Sequence, residues 1–234
     1  MKRRHSIRQY DAELLEIRML ILEMGGKVEA MISNAIQALV ERDSMLAERT
    51  ILSDHEINRL EVLIDEKCLG VLARRQPTAS DLRFITLSLK IVTDLERIGD
   101  QCTGTARRAK ELFDEPQLKP YIDLPLLAES ARLMVKDALD SFVKSDTLLA
   151  EKVCGNDQFV DDLNIQLQRD LLTYMMEDPS CINRAVKLMY ISKYLERIAD
   201  HAKSIAEMVI FMIKGEDIRH SCPPPTLFAT ATEV

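Results

Sequence analysis

Along most of the chain, apolar residues recur in alternating steps of three and four, the period of a helix with one buried face. One stripe reads Phe84, Ile91, Leu95, Ile98, Cys102, Thr105, Ala109 and Leu112, with Ser88 filling a slot. Another reads Leu188, Ile191, Leu195, Ile198, Ala202, Ile205, Val209 and Met212. Both are a/d seams of the left-handed packing found in helical bundles. Shorter seams, Ile57, Leu60, Ile64 and Val71, then Val160, Leu163, Leu167 and Tyr174, mark two further helices. The pattern breaks at Pro77, between Glu115 and Pro125, at Asp178-Pro179 and at Pro223-Pro224-Pro225, where proline cannot continue a helix.

The spacing predicts helices at about 11–41, 44–75, 79–113, 123–143, 146–176 and 181–214. Thr78 with Asp81 three residues on resembles a capping box, and Asp178 before Pro179 reads as an N-cap with proline in the first turn. Gly25-Gly26 and Cys154-Gly155-Asn156 set weak helix formers side by side, so a kink or break is expected at each.

The two halves repeat one another. Asp94-Leu95-Glu96-Arg97-Ile98-Gly99-Asp100 matches Tyr194-Leu195-Glu196-Arg197-Ile198-Ala199-Asp200 at an offset of 100 residues. Upstream, Leu46-Ala47-Glu48 matches Leu149-Ala150-Glu151, and Asp54 matches Asp157, at an offset of 103. A small change in loop length is what a duplicated unit accumulates. The expected fold is therefore all-α: two tandem, homologous three-helix bundles, 9–114 and 121–215, in an elongated six-helix molecule. Residues 216–234 lack an apolar period and are expected to form a disordered tail.

Composition sharpens this picture. The 234 residues are 47% hydrophobic but only 5% aromatic, with no Trp, which suits helices packed by aliphatic side chains. A net charge of -7 argues against broad neutralisation of nucleic-acid phosphates, so no nucleic-acid partner is expected. No apolar run reaches the roughly 20 residues that span a bilayer. The basic start, Lys2-Arg3-Arg4, has no apolar stretch after it. A cytoplasmic protein with at most peripheral membrane contact is expected. Arg74-Arg75 and Arg107-Arg108-Lys110 read chiefly as solvated faces. Five scattered cysteines, never in C-x-x-C spacing, suggest neither a disulfide framework nor a thiolate zinc site.

The candidate chemistry lies in carboxylates that the seams do not need. Glu96 with Asp100, and Glu196 with Asp200, lie four apart and so share a helix face, where like charge is mildly unfavourable. The middle helices add Asp54, Asn58, Glu61 and Asp65 in the first half, and Asp157, Asp161, Asn164 and Gln168 in the second. If each middle helix lies beside its own third helix, up to four oxygen-bearing side chains per repeat converge on a strip of surface. Oxygen-only ligation suits hard or borderline cations such as Mg²⁺, Mn²⁺, Ca²⁺ or iron. The same positions are solvated in any bundle, and Arg97 or Arg197 could pair with the carboxylates instead. His201, next to Asp200 but turned about 100° away on a helix, reads as a solvated or capping histidine.

The paired stretches resemble the E(D)-x-x-x-D signatures of the PhoU family, and Pro77 to Arg83 resembles that family's turn into its third helix. The resemblance runs over roughly residues 9–214. It implies metal clusters on Glu96 with Asp100, Glu196 with Asp200, and Asp157 with Asp161, loaded with Mg, Mn or Fe, with Zn and Ca as further options. It also implies a homodimeric regulator that restrains phosphate uptake and signalling. Its implied partners are the ATPase of the phosphate ABC transporter and a membrane sensor histidine kinase. Asn58 stands where a carboxylate is usual, so Asp54 with Asn58 forms a weakened motif and the first-repeat site is expected to bind metal less tightly. Gly104 and Ser204 occupy positions where relatives often carry Asn.

An enzymatic reading finds no machinery. A di-iron bundle enzyme needs Glu-x-x-His pairs, but Gly99 and Ala199 stand three residues after Glu96 and Glu196. Phosphate-binding loops, serine elbows and zinc-protease motifs are absent from the sequence. The alternative to the adaptor is a stand-alone metal-binding or metal-storage bundle without a signalling role.

Overall fold

The computed structural model describes residues 2–215, with side chains from residue 9. The expected tail, 216–234, lies outside the described residues. Six helices follow one another: α1 (Lys2–Glu41), α2 (Ser44–Arg74), α3 (Ala79–Lys110), α4 (Asp123–Lys144), α5 (Thr147–Glu177) and α6 (Ile182–Lys214). Helix α1 starts well before the expected residue 11. Nothing between residue 2 and Gly25 stops it, since that stretch holds neither glycine nor proline.

The starts of α2, α3 and α5 are fixed by side-chain caps, and the cap of α2 is repeated at α5. Asp43 accepts from Leu46 N at 2.9 Å, while Asp146 accepts from Leu148 N and Leu149 N. The residue before each cap, Arg42 (φ 57) or Ser145 (φ 52), is left-handed, so the same turn recurs in both repeats. Thr78 Oγ1 accepts from Asp81 N at 3.4 Å, the N-cap half of the expected capping box, while the Asp81 carboxylate accepts from Thr78 Oγ1 and Tyr10 Oη. Asp178 accepts from Ser180 N and opens a single 3₁₀ turn, Pro179–Cys181, that leads into α6.

Neither expected break occurs. Helix α1 runs through Gly25-Gly26 and α5 through Gly155. The reason at Gly25 is packing: a Cβ there would lie 2.2 Å from Leu139 Cδ1, so glycine lets α4 approach α1.

Within each repeat the three helices pack on one another, α1 with α2 and α3, and α4 with α5 and α6. The seam residues are buried: Ile57, Leu60 and Ile64 with Ile91, Leu95 and Ile98 in one repeat, as Val160 and Leu167 with Ile191, Leu195 and Ile198 in the other. Tyr174, at the end of the α5 seam, is exposed instead. Each buried seam side chain contributes roughly 1.5–3 kcal/mol. The bundles also pack on each other, α3 against α6 and α1 against α4, so one apolar core runs through both. Phe84 of α3 stacks on Phe142 of α4 with ring centres 5.7 Å apart. Helices α3 and α6 are antiparallel, because Asp94 meets His201 while Gly104 faces Tyr194. Among the described residues, no helix is long and apolar enough to cross a membrane.

Candidate metal-binding faces

In the first repeat, α2 lies beside α3 and brings Asp54, with Asn58 bonded to it, and Glu61 toward Glu96 and Asp100, while Asp65 lies beside Glu61. Gly99 keeps the helices close: a Cβ there would lie 3.3 Å from Ile57 Cγ2 and 3.5 Å from Asp54 Oδ1. Burial, followed by the charge of Asp100, raises the Glu96 carboxyl above the usual range, and Asp54 adds to it. Burial and Glu96 likewise raise Glu61, and burial raises Asp65. Asn58 Nδ2 donates to Asp54 Oδ2 at 3.2 Å. The other oxygens of that pair, Asp54 Oδ1 and Asn58 Oδ1, are buried without a hydrogen-bond partner.

In the second repeat, α5 presents buried Asp157 and half-buried Asp161 to Glu196 and Asp200 of α6. Burial pushes the Asp200 carboxyl up to about 6, and the charges of Glu196, Asp157 and Asp161 add to it. Asp200 still reaches solvent, so its burial is partial and the three like charges matter beside it. Asp161 is raised too, by burial and then by Asp157 and Glu196. Both faces therefore gather negative charge at a cost that a cation would relieve.

Cationic side chains partly meet that need. Arg97 Nε lies 3.4 Å from Glu96 Oε2, and its Nη1 lies 3.3 Å from Asp100 Oδ2, the pairing expected to compete with a metal. In the second repeat Lys203 Nζ lies 2.5 Å from Asp157 Oδ2, and Lys193 donates to Glu196 Oε1 at 2.5 Å. Nothing in the sequence pattern singles out these two lysines. Lys203 sits on α6 yet reaches a carboxylate of α5, 46 residues away. Glu196 Oε2 is buried and close to Lys193 Nζ, but no well-directed hydrogen bond reaches it.

The donor set fits a hard cation: it is nearly all carboxylate oxygen, and Asp54 Oδ1 and Asn58 Oδ1 are buried acceptors that no donor meets. It is not preassembled, since among the described residues no group of three His, Cys, Asp or Glu side chains stands ready to hold a metal ion.

His201 is partly buried and caps no helix; it pairs across the repeats. Its Nδ1 lies 2.9 Å from Asp94 Oδ1, and Ser204 Oγ donates to Asp94 Oδ2 at 2.8 Å, so both reach across to the other repeat. Tyr194 stands at the position equivalent to Asp94, and it lies against Gly104, the equivalent of Ser204. A Cβ at Gly104 would come within 3.0 Å of the Tyr194 ring. Gly104 and Ser204 thus both serve the α3–α6 contact. Only knowledge that these helices run antiparallel could reveal it.

Fold and site together define a class: a duplicated helical bundle whose repeats each carry a carboxylate face. The PhoU domain family model matches residues 21–109 and again 124–209, and the chain belongs to the PhoU family. It is 45% identical over 217 residues to the phosphate-specific transport system accessory protein PhoU homolog of Pseudomonas putida, covering 92% of this chain and 85% of that protein. Against the accessory protein PhoU of Escherichia coli it is 38% identical over 217 residues, covering 93% and 90%. The crystal structure of PhoU from Pseudomonas aeruginosa superposes with a TM-score of 0.86 at 43% identity, over 88% of this chain and 100% of that one. The phosphate transport system regulatory protein PhoU from Streptococcus pneumoniae gives 0.83 at 29% identity, over 89% and 98%.

Proposed function

We propose that this protein is a non-enzymatic, cytoplasmic regulator of phosphate uptake, an accessory to a phosphate-specific transport system. The observation that carries this reading is its relatedness, along nearly its whole length, to accessory proteins of such systems. The finer reading is an adaptor, acting as a homodimer, that engages the transporter's ATPase and a membrane sensor histidine kinase and restrains both when phosphate is ample. Two carboxylate faces at equivalent places in the repeats support it, because they give such an adaptor charged surfaces that a cation can switch from repulsive to neutral.

The residues that would hold the cations are Glu96, Asp100, Asp54 and Asn58 on one face, and Glu196, Asp200, Asp157 and Asp161 on the other. A bound Mg, Mn, Fe, Zn or Ca ion would supply charge neutralisation. This chain's own residues do the rest: Gly99 sets the helix spacing, and Arg97, Lys193 and Lys203 hold the carboxylates until a cation competes for them.

Affinity purification from phosphate-replete cells tests the adaptor. Recovery of both the transport ATPase and the sensor kinase is expected. Metal-rich protein recovered with neither would favour a stand-alone metal-binding bundle instead.

A further inference from the structure

The middle helices α2 and α5 stand at the margins of the fold. Among the described residues each packs only on the other two helices of its own repeat, apart from the short 3₁₀ turn that follows α5, so the outer face of each meets no other helix. On α5 that face carries a second stripe, Gly155, Asp162, Ile165, Arg169, Leu172 and Met176, at helical spacing and turned away from the buried seam. Its apolar members are open to solvent: Ile165 is 46% exposed, Leu172 49% and Met176 85%, the last more than any other large apolar side chain among the described residues.

The stripe is complementary to itself. Asp162 and Arg169 lie nearly equal distances on either side of Ile165, so a two-fold axis there sets Asp162 of one copy beside Arg169 of the other, twice over. A parallel pairing in the same register would oppose like charges instead. Both side chains are exposed; Asp162 accepts from Gln158 Nε2 at 3.0 Å, and among the described residues Arg169 makes no salt bridge. The same axis brings Met176 against Gly155. A Cβ added to Gly155 would meet nothing within 4 Å, so packing inside this chain does not account for a residue that weakens a helix interior. Bare backbone at that point of an interface admits the methionine of a neighbouring copy.

We propose, resting on the homodimeric reading above, that a second copy of this chain docks along this stripe, α5 on antiparallel α5 about a two-fold axis at Ile165. Helix α2 carries a matching stripe around exposed Val62 and Leu69 with the charges exchanged, Arg59 and Glu66. It has Leu52 where α5 has Gly155, so two α2 helices lack the bare backbone for so close an approach. Pairing α2 of one copy with α5 of another would leave an unfilled stripe at each end and favour open chains of copies over a closed dimer.

The test is analytical ultracentrifugation of the full-length protein over a concentration series, with circular dichroism to check that each variant is folded. Asp162→Arg and Arg169→Asp each oppose like charges at two symmetric places and should raise the dimer dissociation constant about tenfold or more. The double variant Asp162→Arg, Arg169→Asp restores the match and should return to within about threefold of the parent. Gly155→Leu should weaken the dimer about tenfold while leaving the melting temperature of the chain equal or higher, since leucine is the better helix former. Arg59→Glu on α2 should leave the dimer unchanged. A dimer that withstands all the α5 changes, a folded double variant that stays dissociated, or dissociation by Arg59→Glu would overturn this interface and leave the homodimer standing. A parent that stays monomeric at every concentration would overturn the homodimer and the interface with it, and assemblies that grow beyond the dimer would overturn the two-fold pairing in favour of α2 on α5.

Discussion

At the scale of single residues, the carboxylate faces are balanced between protein cations and an external one. Lys203 holds Asp157, so Lys203→Met should free an oxygen ligand and raise divalent-cation affinity about fivefold, the equivalent of the ~1 kcal/mol of a partly exposed ion pair. Isothermal titration would measure it, and unchanged or lower affinity would count against Asp157 as a ligand. Asn58 has one fewer charge than its counterpart Asp161, so Asp200→Ala should lose more metal than Asp100→Ala. The reverse order contradicts a weaker first site. Protonation gives a second handle on Asp200. Its folded pKa of about 6 lies above the usual 3.8, so between those pH values the folded state holds a proton that the unfolded state has released. The stabilisation from that proton is complete below about 3.8 and disappears as pH rises through about 6. Asp200→Asn should therefore gain in metal-free melting temperature over the parent by more at pH 7.5 than at pH 5. An advantage that does not change with pH would mean the charge cluster is not felt.

At the scale of helices, the repeated seams are legible because burial follows a period that the sequence writes directly. Ile57, Leu95, Leu195 and their neighbours all face the core. The caps at Thr78 and Asp178 are legible for the same local reason. What depends on a distant partner is not. Gly25 looks like a weak point because propensity alone disfavours glycine, yet its role is to admit Leu139 from another helix. Beside it, a Cβ added to Gly26 would meet nothing within 4 Å. Gly26→Ala should accordingly stabilise by roughly 0.5–1 kcal/mol through helix propensity. Gly25→Ala should fall below it by roughly 1–3 kcal/mol, the cost of displacing a packed leucine. Urea unfolding of the two variants checks the ordering, and equal stabilities would mean that Leu139 moves aside freely. His201 escapes a sequence reading for a related reason: its partner Asp94 lies 107 residues away, on the other repeat.

At the scale of the whole molecule, duplication placed two acidic faces in equivalent surroundings, while packing of α3 on α6 joined the halves into one core. The acidic residues are legible as a set because Asp54 pairs with Asp157 and Glu96 with Glu196 in the sequence. The competing lysines and the joint between repeats are not, since neither follows from the seam. The continuous core predicts that both repeats unfold together, so denaturant curves read by far-ultraviolet circular dichroism and by a probe in either repeat should coincide. Two separated transitions would show the bundles to be independent. Whether the acidic faces hold cations is tested most directly by elemental analysis of the natively purified protein beside a variant carrying Glu96→Gln, Asp100→Asn, Glu196→Gln and Asp200→Asn. The parent should carry Mg, Mn, Fe, Zn or Ca in stoichiometric amount and the folded variant should have lost it, whereas a metal-free parent or a variant with equal content would contradict the account.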